Sequence, residues 1–177
     1  MTEHVDLEAY LFLLPNKLLI SLFDPKNLKN YYIDEVNLEN KINSIDEYKL
    51  NKFLDKNIFK IEKLIGKFIK NIFLVIENDK ILNLTIGIKK KNYDKIINRK
   101  LLEKTLIDAK ELFNENYKEK KIMHIIIQKH LIDGKLYSLP QDNLKCNNFS
   151  LEVQFRSISL SLTHEIEKVL EKYQIKI

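Results

Sequence analysis

The chain has 177 residues, 45% hydrophobic and 31% charged, with a net charge of +5. That is the balance of a globular protein of one domain or two small ones, long enough to bury a sizeable core. With only three glycines and three prolines, the composition excludes a disordered or loop-rich chain and leaves little material for a glycine-rich phosphate loop.

The positive charge is almost all lysine, with only Arg99 and Arg156 as arginines. Recognition of bases and phosphates draws on the planar guanidinium fork, so this surface reads as solvated lysine and not as a nucleic-acid site. Cys146 is the only cysteine. No internal disulfide is possible, and a cysteine-based zinc site lacks its other ligands. The acidic start of the chain has no leader pattern, and Pro15-Asn16-Lys17 interrupts the longest apolar region, which is too short to span a bilayer. A cytoplasmic protein without a transmembrane segment is the expectation.

Apolar runs at 9–14 and 18–23 flank Pro15-Asn16-Lys17, a hairpin pattern, and Asp24-Pro25-Lys26-Asn27 is a second turn before a third strand at 31–36. Ser44 and Glu47 have capping-box spacing. The helix after them places Leu50, Leu54, Ile61, Ile65 and Phe68 on one stripe, with Phe53 and Ile58 beside it and Gly66 near its end. Strands are expected at 72–76 and 81–88, with Lys89-Lys90-Lys91 as an exit into solvent. A second helix at 99–117 carries Leu102, Leu106, Ala109 and Phe113, and 118–121 is a charged break.

Residues 122–128 form an apolar strand whose lack of alternation predicts that both faces are covered. Asp133-Gly134 is a turn, and a long loop at 136–148 carries Pro140. The longest strand candidate, 149–162, changes phase. Phe149, Leu151, Val153 and Phe155 alternate on one parity, and Ile158, Leu160 and Leu162 on the other, which implies a bulge, a bend or a switch of buried face. The last helix begins near Thr163 with Ile166, Val169, Leu170 and Tyr173 as its apolar stripe. Ile175-Lys176-Ile177 is set to start another strand.

Chemistry is hard to find. His124 and His130 are six apart, so on a strand they lie about 20 Å from each other, too far to share an ion. The plainer reading of His124 is a partly buried strand histidine. Cys146 has no small-residue elbow or oxyanion nest around it. Composition and spacing therefore indicate no catalytic, cofactor-binding or metal residue.

The segment 122–134, with His124, Gln128, Asp133 and Gly134, resembles a characteristic stretch of the bacterial actin-like cell-division protein FtsA, in which His-Val-x-Pro-Gln precedes a short strand and Asp-Gly. Ile127 stands where that family commonly has proline. Leu151-Glu152-Val153, the small residues from Ser157 to Ser161, the helix from Glu165 to Tyr173 and Ile175-Lys176-Ile177 resemble the adjoining strand, strand exit, closing helix and last strand of the family. The resemblance implies an α+β fold: a β-meander with packed helices, a partial actin-like (ribonuclease H-like) subdomain at 1–90, then a strand-helix-strand-strand interaction subdomain at 91–177.

Where the family has an Asp-x-Gly-Thr phosphate loop, this chain has Leu14-Pro15-Asn16-Lys17. It also stops before the family's second phosphate loop and its membrane-targeting helix. The resemblance thus implies a truncated, non-catalytic interaction module of the division machinery, with no cofactor. Its partners would be division proteins, an actin-like chain or a second copy, reached at the division site through those partners. The alternative from composition is a small basic protein that binds nucleic acid or an anionic surface.

Overall fold

A computed structural model describes residues 7–38, 46–138 and 144–177. They form a mixed α+β structure with two four-stranded sheets and three helices. The chain divides into two compact units, one of residues 1–79 and 161–177 and one of residues 80–160. The expected division at 90/91 instead falls inside a strand, and the last helix belongs to the first unit.

In the first unit β1 (Glu8–Leu14) and β2 (Lys17–Asp24) form the expected hairpin, with Leu14 paired to Lys17. β2 continues into β3 (Lys29–Asn37) through the expected turn. Buried Asp24 organises that turn: its carboxylate accepts from Lys26 N at 2.9 Å, Asn27 N at 3.1 Å and Asn27 Nδ2 at 2.8 Å. These hydrogen bonds, the Asn27 side chain first, hold its pKa below the usual carboxylate value.

α1 (Glu47–Ile65) starts at Asp46, whose side chain accepts from Lys49 N. The proposed capping residue Ser44 lies outside the described residues. Gly66 ends the helix in a left-handed conformation (φ 68°), with its N–H donating to Glu62 O. Phe68 therefore leaves the expected stripe and is 81% exposed. β4 (Phe73–Ile76) runs parallel to β1, giving the sheet order β3-β2-β1-β4.

The second unit opens with β5 (Leu82–Ile96), which runs through Lys89-Lys90-Lys91 instead of ending there. Lysine stems can lie along a strand with their ammonium groups in water, so the backbone goes on pairing. α2 (Arg99–Asn116), capped by Asn98, comes next, and then β6 (Lys120–Ile132), β7 (Lys135–Tyr137) and β8 (Lys145–Ser159). The charged residues Lys120 and Lys121 belong to β6, and part of the expected 136–148 loop is strand; Pro140 lies outside the described residues. The sheet order is β5-β8-β6-β7.

β6 is not covered on both faces: Ile125 is 43% and Ile126 38% exposed. Its missing alternation has another cause. Ile122 pairs with Ser157 but His124 with Arg156, and Ile127 pairs with Val153 but Lys129 with Glu152. Met123 and Gln128 are thus extra residues, and each bulge resets which parity faces α2. Of the residues expected on the second parity of β8, only Ile158 lies in the strand, where it is buried. The strand ends at Ser159, and Leu160 already begins α3 (Leu160–Glu171), three residues before Thr163. Ile175-Lys176-Ile177 begins a strand to the extent of one parallel bridge, Lys176 to Asn71.

In the first unit Leu11, Leu13, Leu18, Ile20 and Leu22 pack with Leu54 and Ile61 of α1 and Ile166 and Leu170 of α3. Tyr173 Oη donates to Asp55 Oδ1 at 2.6 Å, joining the turn after α3 to α1. In the second unit Phe113 of α2 stacks on Phe155 of β8 with centroids 5.0 Å apart, at the centre of a core containing Phe149, Leu151 and Val153.

Two polar residues of the second unit have measurable consequences. Asp133 accepts from the backbone N–H groups of Asn147 and Asn148, at 2.7 Å to the latter, and so ties the β6–β7 turn to β8. Asp133→Ala is expected to cost about 1–2 kcal/mol in urea denaturation. His130 is buried, and neither ring nitrogen has a hydrogen-bond partner among the described residues. Burial lowers its pKa, and the backbone of Tyr137, outside hydrogen-bond geometry, offsets only part of this. The folded state therefore disfavours the charged ring, while the unfolded chain takes up the proton near 6.5. Its contribution to stability is full above that pH and falls as the pH drops through it. His130→Leu is expected to lose this component of the acid destabilisation, read as a flatter difference in denaturation midpoint between pH 7.5 and 5.5.

Candidate functional site

The strand residues that meet α1 and α3 all lie on one face of the first sheet. Alternation places Tyr10, Phe12, Leu19, Phe23, Phe73 and Val75 on the other. Among the described residues, the helices of the unit pack on the first of these faces and not on the second. Tyr10 is its centre: the rings of Phe73, Phe12 and Phe23 lie 5.1, 6.2 and 6.3 Å from its own. The Tyr10 hydroxyl donates to Glu8, which, with burial, raises its pKa. Phe73 is 54% and Ile33 53% exposed. Contiguous exposed apolar surface of this kind marks an interaction site.

Phe73 also lines a cleft of about 750 Å³ at the end of the sheet where β1 and β4 begin, together with Ala9, Leu22 and Ile69. Lys67 and Lys70 line it too and are exposed. The sequence carries a signal for this surface that a hairpin pattern alone does not use. Residues 9–14 and 18–23 are apolar on both parities, except at Ser21. A strand with one solvated face alternates; these strands present apolar side chains to both sides.

At the opposite end of β1 is the turn that the FtsA resemblance aligns with a phosphate loop. It is a two-residue turn, Pro15-Asn16. Proline has no N–H, the Asn16 carbonyl accepts from Leu38 N at 2.7 Å, and Lys17 Nζ lies 3.0 Å from Glu35 Oε2. The turn thus lacks the converging backbone donors and free cation that hold phosphate oxygens.

The residues that carried the resemblance belong to the second unit. His124 is exposed and pairs across to Arg156, so the expected partial burial is not found. Gln128 is a bulge residue, and Asp133 and Gly134 form the turn with φ 47° and 80°. They shape a strand and its turn. Cys146 is buried beside Asn92, whose Nδ2 donates to Sγ at 3.4 Å, and burial pushes its thiol pKa up. A thiol held protonated and out of solvent is a poor nucleophile. Among the described residues, no group of three or more His, Cys, Asp or Glu is placed to hold a metal ion, and no helix is long and apolar enough to cross a membrane.

No protein-family model and no curated protein sequence matches the chain. Solved structures do. The PilM–PilN type IV pilus biogenesis complex aligns over 95% of this chain and 45% of that one, with a TM-score of 0.59 at 11% identity. The cytoplasmic domain of EpsL, an inner membrane component of the type II secretion system of Vibrio cholerae, aligns over 97% and 56%, with a TM-score of 0.46 at 7% identity. The chain spans less than half the length of the first of these. The likeness establishes a fold, a partial actin-like α+β architecture. FtsA itself is not among the two structures described.

The two faces of the first sheet are expected to respond differently to substitution. Leu11→Ala, on the helix-covered face, is expected to cost about 2–5 kcal/mol. Phe73→Ser, on the open face, is expected to cost less than about 1 kcal/mol while reducing binding of a hydrophobic dye. Urea denaturation and dye fluorescence measure both.

Proposed function

We propose that this chain is a non-catalytic interaction module of a multiprotein assembly, and that it meets its partner through the open aromatic face around Tyr10. That face is the observation that carries the reading, because it is apolar, contiguous and free of the unit's own helices. The closed Pro15-Asn16 turn supports the absence of nucleotide chemistry, and the protonated, buried Cys146 the absence of thiol chemistry.

The resemblance at 122–134 favours the cell-division machinery, with an FtsA-like role at the inner face of the membrane reached through partners. The PilM–PilN complex supports the broader form of the same idea, an actin-like domain working beside another protein. For the alternative, a nucleic-acid or anionic-surface binder, one of the three lysines at 89–91 is withdrawn, since Lys90 turns aside to pair with Asp108.

The test is direct binding of the purified chain to the division, pilus and secretion proteins of its own organism. One of them is expected to bind the native chain and to lose at least tenfold in affinity with Tyr10→Glu/Phe73→Glu, whose circular dichroism stays native. Failure of all of them to bind would refute the module. Magnesium–ATP is expected to leave the Tm unchanged, and a rise of several degrees would overturn the non-nucleotide reading.

A further inference from the structure

Among the described residues, the outer edge of β5 is the one long, regular strand edge in the second unit. Residues 82–91 pair with β8 without a break, and the first irregularity comes only at 92–94, where Tyr93 and Asp94 adopt φ 53° and 55°. The other edge is blunted. β7 has three residues, and the part of β6 beyond it is bulged at Met123 and Gln128. Bulges and short strands are two means of keeping an edge from pairing, and β5 has neither over ten residues; lysines, a third, are confined to 89–91 and leave 82–88 uncharged.

Gly87, at the middle of this edge, points the same way. It weakens a strand and is not required by the fold: its φ is not left-handed, and a Cβ placed on it meets nothing within 4 Å. A strand glycine without an internal reason marks a place where another backbone comes close. Along β5 the charge near it is positive, and Glu152, across from Gly87 on β8, is engaged by Lys129 at 2.7 Å. Lys89 and Lys91 are exposed on the same side of the strand as Gly87, and among the described residues no ion pair engages either. The opposite side carries Leu82, Leu84, Ile86 and Ile88, each only half-buried against the α2 core.

We propose that β5 accepts an extended segment of a partner protein as an added strand, with acidic side chains facing Lys89 and Lys91 and apolar ones continuing the Leu82–Ile88 row. Backbone hydrogen bonds to the free edge hold the segment, the lysines select acidic residues, and the notch at Gly87 admits a large side chain. The site belongs to the second unit and does not depend on the aromatic face of the first. Tyr10→Glu/Phe73→Glu leaves it intact, so the two proposals fail separately.

The probe is a fluorescein-labelled ten-residue peptide alternating valine and glutamate, measured by fluorescence anisotropy on the whole chain. It is expected to saturate at micromolar concentrations, whereas the valine–lysine peptide does not. Lys89→Glu/Lys91→Glu is expected to weaken it at least tenfold. Gly87→Val is expected to keep or raise the Tm yet weaken the probe, which separates docking from folding. N-methylation of one alternate set of probe residues is expected to abolish binding and of the other set to spare it, because only one set faces the edge. Equal binding of the two methylated probes, no binding of the valine–glutamate probe, or its displacement by concentration-dependent dimerisation of the chain would each overturn the proposal.

Discussion

Each sheet is covered by helices of its own unit on one face only, and this single asymmetry accounts for most of the chain's distinctive surface. A sheet face left without a helix must be solvated or be met by another surface. The second sheet takes the first course: Thr85, Gln154, Glu152 and Lys129 line its uncovered face, and Lys129 bonds Glu152 at 2.7 Å. The first sheet puts Tyr10, Phe12, Phe23 and Phe73 there. Burying an aromatic side chain stabilises by about 1.5–3 kcal/mol relative to leaving it in water, so a partner surface that covers several has ample driving force.

The order of the chain adds a second constraint. The first unit is completed only by residues 161–177, after the whole of the second unit has been made. Ile166, Val169 and Leu170 of α3 enter the same core as Leu11 and Leu22. These contacts close loops of about 150 residues, and non-local closure of that kind slows folding. The second unit is local by comparison, since all its strands and α2 lie within 80–160. It has the topology to form first, as an insertion in the chain, before the first sheet gathers its last helix.

Much of this was legible from the residues. The β1–β2 hairpin, α1 and α2 follow from apolar runs that flank Pro15-Asn16-Lys17 and from apolar stripes at helical spacing. The misreadings have physical causes. Phe68 fits the helical period, but the left-handed Gly66 ends the helix before it. Lys89-Lys90-Lys91 looks like an exit because composition cannot reveal that β8 pairs with each of them. The apolar run 122–128 looks doubly buried because bulges at Met123 and Gln128 change parity without leaving any mark of residue type. Leu160 and Leu162 imitate a strand's alternation at the first turn of a helix. The aromatic face was half-visible as strands apolar on both parities, whereas the β5 edge depends on sheet order, which one sequence does not contain.

The actin-like likeness sharpens what the Pro15-Asn16 turn means. A fold can be kept while the loop that gave it chemistry is replaced, because the core is fixed by buried faces and loop chemistry by a few exposed atoms. Here the core residues Leu11, Leu13, Leu18 and Ile20 preserve the hairpin, while the polar groups at its tip are engaged internally, Asn16 with Leu38 and Lys17 with Glu35. The apolar face of the first sheet and the edge of β5 are both suited to polypeptide, in keeping with the interaction module proposed for the chain.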